Sequence, residues 1–265
     1  MTPEERPRTY VDSDFLVAPA NLAAAQGVLE DLGFRPWLAS GDKRANRATS
    51  MHWLRAADQA NVDLHVQLTG IAVDPEAAWP ALRSQTVGHR VAGEAVRVLA
   101  APARALHVAL HASQHAGFID APQRDLRCAL QTVDRATWEA ARELARELDA
   151  EPAMAAGLRL DPAGAILARE LALSEDVPPD VALRLRAETP LTLGIDTLLR
   201  ERGLLAKLLL LLRELFPSPN FMRLWSPLAR RGRSGLLLAY AYRPLWLLAR
   251  LPAGLRARRS ALRGD

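Results

Sequence analysis

The segment Tyr10-Val11-Asp12-Ser13-Asp14-Phe15-Leu16-Val17 sets two carboxylates two residues apart inside an apolar, β-prone run. A strand turns alternate side chains to one face. Asp12 and Asp14 are therefore expected side by side, with Ser13 and Phe15 on the other face. Like charges at that spacing repel unless something positive lies between them. A divalent metal ion meets that need, and hard oxygen donors suit Mg²⁺. A solvated strand end carrying two acidic residues is the alternative reading, because D-x-D is common.

The chain after this segment reads first as strands and then as helices. Thr9 to Val17 is an expected strand. Pro19 opens a helix where its missing N–H is harmless, and Leu22, Ala25, Val28, Leu29 and Leu32 stripe one face of Asn21 to Leu32. Gly33 closes it. Phe34 to Leu38 is an expected short strand, weakened by Pro36, and Ser40 to Thr49 a polar loop. Met51 to Ala57 and Val62 to Leu68 read as strands joined by a turn at Asp58-Gln59-Ala60-Asn61. Asp74-Pro75-Glu76 starts a helix running to Ser84, and a second hairpin is expected around Gly93. From Pro102 the pattern is helical, with helices expected at 102–117, 122–133, 137–149, 151–159, 162–172, 179–187, 192–215, 220–229 and 234–250. This order argues for an α+β fold. Residues 1–101 would form a small mixed sheet with flanking helices, and residues 102–265 an all-helical region.

A chain of 265 residues that is 49% hydrophobic has enough apolar mass for a sizeable core. Cys128 is its one cysteine, so no internal disulfide is possible and a reducing cytoplasm is the expected setting. Met1 to Arg8 is polar and has no signal-peptide pattern. Charge is divided unevenly. Residues 200–265 hold 14 basic and 3 acidic side chains, and residues 1–199 hold 20 and 27. A basic tail on an acidic body either meets an anionic partner or packs on that body. Its apolar runs, Leu204 to Leu212 and Leu236 to Leu251, are broken by Lys207 and Arg243-Pro244 and fall short of the roughly 18 residues of a membrane span. Arginines beside Trp225 and Trp246 fit an interfacial helix giving a peripheral membrane contact. Packing, with arginines on the wet side, is the competing reading. Nucleic acid is not an expected partner, because the body is acidic and no recognition motif occurs.

A third carboxylate lies in Val62-Asp63-Leu64-His65-Val66, where alternation puts Asp63 and His65 on one face. An acidic D-x-D strand, a helix, and a later strand with a single Asp resemble the polymerase-β-like nucleotidyltransferase superfamily with its small MNT-type members. The closer resemblance is to the bacterial group of uncharacterised nucleotidyltransferases, through Arg8, Asp12, Asp14 and Val17, then Leu32-Gly33-Phe34, then His52, then Val62-Asp63-Leu64-His65. Leu110-His111, His115, Asp125-Leu126, Trp138 and Phe216-Pro217-Ser218-Pro219 extend it over most of the chain. The resemblance implies transfer of a nucleotidyl group from ATP or another nucleoside triphosphate to an acceptor hydroxyl on a small molecule, peptide or protein. In such chemistry two carboxylate-held Mg²⁺ ions clamp the triphosphate and neutralise developing charge. Asp12 and Asp14 would hold the nucleotide-bound metal. Asp63 would help hold a second and orient or deprotonate the acceptor, and His65 would support Asp63 or touch the acceptor. The superfamily's Gly-Ser or Gly-Gly turn, upstream of the acidic strand, has no counterpart, since no glycine precedes Gly27. Either translation starts further upstream, or part of the nucleotide site is lost and the protein is an accessory module docking through its basic tail.

His107, His111 and His115 recur every four residues on one expected helix, so adjacent pairs sit one turn apart. They either pack or line the cleft near nucleotide or acceptor. A zinc hydrolase built on them is a third functional reading, although no H-E-x-x-H accompanies them. The loop Asp42-Lys43-Arg44-Ala45-Asn46-Arg47 could steer an anionic nucleotide. Cys128, among Leu126, Ala129 and Leu130, is expected to be a buried small apolar residue.

Overall fold

Leu22, Ala25 and Leu29 at helical spacing, and Met51, Trp53, Val62 and Leu64 at strand spacing, meet in one hydrophobic cluster. The computed structural model describes residues 12–36, 50–114, 120–186 and 190–263. It divides into two units, Met1–Gln67 and Leu68–Asp265.

The first unit runs β1 (Ser13–Leu16), a 3₁₀ turn (Pro19–Asn21), α1 (Leu22–Asp31), β2 (Arg35–Pro36), β3 (Ser50–Arg55) and β4 (Ala60–His65). The strands form one sheet in the order β1-β4-β3-β2. β1 pairs β4 in parallel, and the other pairings are antiparallel. Thr9 to Val11, most of the expected strand after Phe34, and the cationic loop lie outside the described residues. α1 ends as its sequence requires. Gly33 takes φ +84°, Gly33 N–H donates to Glu30 O at 3.0 Å, and Phe34 N–H donates to Leu29 O at 2.9 Å. This double bond satisfies two end carbonyls, and the left-handed backbone it needs suits glycine. The cap also drops Phe34 onto Leu29 in the core. Leu29, Phe34, Trp53, Val62 and Leu64 are all buried, each contributing about 1.5–3 kcal/mol for full burial.

Because strand side chains alternate, filling one sheet face with these residues sends Asp63 and His65 to the other. The β3–β4 turn fixes the register. Asp58 pairs with Arg55 at 2.8 Å and accepts from Ala60 N–H at 3.3 Å. The Arg55 guanidinium holds the Asp58 carboxyl below its ordinary range.

The second unit begins with α2 (Pro75–Ser84) and the hairpin β5 (Thr86–Val91) and β6 (Glu94–Leu99). The hairpin turns at Ala92 and Gly93, both at positive φ, and forms a separate two-stranded sheet. Helices follow: α3 (Ala101–Gln114), α4 (Asp120–Thr132), α5 (Arg135–Glu147), α6 (Glu151–Leu158), α7 (Pro162–Glu170), α8 (Pro179–Arg186), α9 (Pro190–Arg200), α10 (Leu204–Leu215), α11 (Pro219–Trp225) and α12 (Gly232–Arg263). The fold is α+β, as expected: small sheets with flanking helices, then a helical C-terminal region. α3 packs on α5 and α6, and Ala105, Ala109 and Ala112 of α3 and Ala153 and Ala156 of α6 are all buried. Gly157 lies so close that an added Cβ would sit 1.9 Å from Ala109 O.

Several details differ from expectation, among them the helix expected over 220–229, which ends at Trp225 and is followed by a 3₁₀ turn at Pro227–Arg230. The helix expected over 192–215 is two, because Glu201-Arg202-Gly203 break it between α9 and α10. α12 does not stop at 250 but runs past Pro244 and Pro252 to Arg263. Its far end is tied to α9, where Arg258 Nε donates to the buried Asp196 at 2.9 Å. Cys128 is exposed, because α4 turns Leu126 and Ala129 inward instead.

Candidate functional site

The parallel register of β1 on β4 places Asp14 opposite Asp63 and Leu16 opposite His65. The antiparallel register of β3 on β4 places His52 opposite Asp63. Directly opposed residues share a sheet face, so Asp14, Asp63, His65 and His52 converge on the face away from the hydrophobic cluster. His65 Nε2 donates to Asp14 Oδ1 at 2.9 Å. His52 Nδ1 lies 2.5 Å from Asp63 Oδ1. With the acids charged and no metal bound, each imidazole donates from the nitrogen that faces the acid, and a nitrogen that ligated a metal would first give up that proton. Asp12 is exposed and immediately precedes β1.

Asp63 is the buried member, with 11% of its side chain accessible against 62% for Asp14 and 62% for His52. Burial pushes the Asp63 carboxyl above its ordinary range, the charge of His52 opposes that shift, and the charges of Asp12 and Asp14 add to it. A buried carboxylate beside two others is poorly solvated unless a cation balances it.

One ligand atom from each of Asp14, Asp63 and His65 lies within 4.8 Å of the others. Two carboxylates and an imidazole fit a divalent cation: the oxygens suit Mg²⁺, and the nitrogen extends the range toward Mn²⁺. The residues singled out in the acidic strand and in β4 are thus brought together, with Asp12 at the entrance to its strand.

His107 and His111 lie on α3 in the second unit, half-buried. Their rings stack at a centroid distance of 5.7 Å and an interplanar angle of 21°, as one-turn spacing allows. Neither belongs to a three-residue metal cluster among the described residues, and His115 lies outside them.

His52 is the site residue to which sequence reasoning gave no role. The signal was present in the hairpin. Once Arg55 is paired with Ala60 across the turn, counting back three residues on one strand and forward three on the other sets His52 against Asp63.

A family model described as "Uncharacterised nucleotidyltransferase" matches residues 2–162, a span that contains β1 to β4 and all four converging residues. No curated protein and no solved structure matches the chain.

Proposed function

The chain belongs to the uncharacterised nucleotidyltransferase family, and on that premise we propose that it transfers a nucleotidyl group from a nucleoside triphosphate to an acceptor hydroxyl. The observation that carries this reading is the pairing of Asp14 with a buried Asp63 on adjacent parallel strands, two residues after Asp12. Asp12, Asp14 and Asp63 would hold the divalent ions, with Mg²⁺ the first candidate and His65 at the edge of the set. Bound there, such ions neutralise charge on the triphosphate and position its α-phosphorus.

The protein's own groups manage the proton. The acceptor oxygen bonds to the α-phosphorus, the bond from that phosphorus to the bridging oxygen of the β-phosphate breaks, and pyrophosphate leaves. The hydroxyl proton passes to the Asp63 carboxylate, which the strand register holds opposite Asp14. His52, whose Nδ1–H donates to Asp63, favours the charged carboxylate and so keeps Asp63 ready to take that proton. His65 fixes the orientation of Asp14 through its 2.9 Å hydrogen bond.

The test is calorimetric titration with ATP, GTP, CTP and UTP, with and without Mg²⁺ or Mn²⁺. It is followed by transfer of α-labelled nucleotide to hydroxyl-bearing small molecules, peptides and proteins. Metal-dependent binding of at least one nucleotide, lost in an Asp12→Asn, Asp14→Asn double variant, is the expected result. Binding that survives the double variant, or no binding by any of the four, overturns the proposal.

A further inference from the structure

From Leu215 to Gly264 the chain contains ten arginines and no aspartate or glutamate. α12 occupies most of this stretch and has two sides. Gly235, Ala239, Arg243 and Gly254 face inward and are buried, whereas Leu237, Leu238, Ala241, Tyr242, Leu245, Leu248 and Ala249 face outward and are exposed. Leu237 is 70% exposed, Leu245 64% and Leu248 63%. The outward stripe extends over roughly 20 Å at 1.5 Å per residue. No charge interrupts it, because the one charged residue in this run is turned away. Arg243 is 3% exposed, donates to Glu214 O at 2.7 Å, and stacks on Phe221 and Trp225 at 4.8 and 4.9 Å.

Both ends of the stripe are cationic. Arg230, Arg231 and Arg233 precede it, and Arg250, Arg256, Arg259 and Arg263 follow, all exposed. Arg250 lies over the Trp246 ring at 4.5 Å, an amphipathic pair suited to a boundary between apolar and aqueous phases. α10 adds Leu204, Leu205, Leu208, Leu209, Leu211 and Leu212, each exposed, and has no buried residue. Among the described residues no helix is long and apolar enough to cross a membrane.

We infer that α10 and α12 form a peripheral docking surface for an anionic lipid bilayer. The leucine stripe would enter the headgroup boundary and the flanking arginines would pair with lipid phosphates. Charge selects this occupant. A second copy would bring the same dense positive charge to the interface and be repelled. A nucleic acid would pair with the arginines and leave the leucine stripe in water.

Flotation of the full chain with vesicles tests the inference, independently of any nucleotide chemistry. Vesicles of phosphatidylcholine alone are compared with vesicles carrying about 30% phosphatidylglycerol. The expected result is about tenfold or greater preference for the anionic vesicles, reduced as salt rises from roughly 0.1 M to roughly 0.5 M. A Leu245→Ser, Leu248→Ser variant should lose about tenfold in binding with an unchanged melting curve, since both side chains are already exposed. An Arg256→Gln, Arg259→Gln variant should bind more weakly and with a flatter salt dependence. Equal binding to both vesicles, no binding to either, or a dimer in sedimentation that Leu245→Ser, Leu248→Ser dissolves while vesicle binding is absent would each overturn it.

Discussion

Replacing Asp63 with asparagine should stabilise the metal-free protein and destabilise it relative to the parent once a divalent ion is present. Ligand oxygens of Asp14 and Asp63 lie within 4.8 Å of each other. Two unit charges at that distance repel by about 1 kcal/mol at the dielectric of water and about 3 kcal/mol at an effective dielectric of 20. Asp63 is buried and Asp14 exposed, so the appropriate value falls between these limits. Asparagine keeps an oxygen that accepts from His52 Nδ1, which leaves the charge as the main quantity removed. In chelator at pH 8 the variant is thus expected to gain about 1–3 kcal/mol. The pH dependence has a definite sign. Burial raises the Asp63 carboxyl on folding, so the native parent binds this proton more tightly than the unfolded chain does. The contribution of this group to parent stability is full at low pH and falls as pH rises through the folded-state value. The gap between variant and parent therefore opens with rising pH and closes in acid. A divalent ion at about a thousand times its dissociation constant returns about 4.1 kcal/mol to the parent, reversing the order. Amide hydrogen exchange over residues 60–65 reads this locally as about a thousandfold slowing. If Asp63→Asn exchanged faster than the parent in chelator at pH 8, or gained as much from metal, the electrostatic account of the site would be refuted.

Other outcomes follow from the same geometry. His52→Ala should leave the melting temperature nearly unchanged, because the side chain is 62% exposed. It should slow nucleotidyl transfer by about 10- to 100-fold and distort the pH–rate profile, which a purely structural residue would not do. Gly157→Ala would place a methyl group 1.9 Å from the Ala109 carbonyl oxygen and should cost about 3 kcal/mol, seen as a fall of about 6–12 °C in the melting of the second unit. Gly33→Ala meets only Arg55 Cδ at 3.8 Å but keeps φ +84°. Its cost is conformational, about 1 kcal/mol, and should appear in urea as a lower midpoint with an unchanged slope.

What could be read from the residues was what local physics decides. Gly33 and Phe34 announced the end of α1, and the alternation in Val62-Asp63-Leu64-His65 placed Asp63 and His65 on one face, which the structure reproduces. The neighbour relation of Asp14 and Asp63 was less accessible, because the register of a parallel pair is fixed by a crossover helix and a packed core rather than by a turn. The break between α9 and α10 was missed because Leu191 to Leu212 is apolar enough to suggest one helix, and Gly203 outweighs that. α12 runs past two prolines to a far end where Arg258 meets Asp196, 62 positions away along the chain, a contact that no local pattern announces. The hairpin around Gly93 was legible, but its formation of a separate sheet was not, since alternation says nothing about which edge a strand joins. Cys128 shows the same limit: apolar neighbours in sequence do not fix which side of a helix faces the core.

The parallel docking of β1 also fixes an order of assembly. The β3–β4 hairpin closes over a short turn and brings His52 to Asp63 early, on the microsecond scale of hairpins. Asp14 reaches His65 from 51 positions away, so a long segment must be restrained before β1 can dock. The step that brings the acidic strand in is therefore expected to be the slowest to close, and its own charge opposes it. Divalent cations should accelerate refolding of the first unit as well as slow its unfolding, to the extent that β1 is already seated in the transition state. Refolding rates measured with and without Mg²⁺ would report how early that strand arrives.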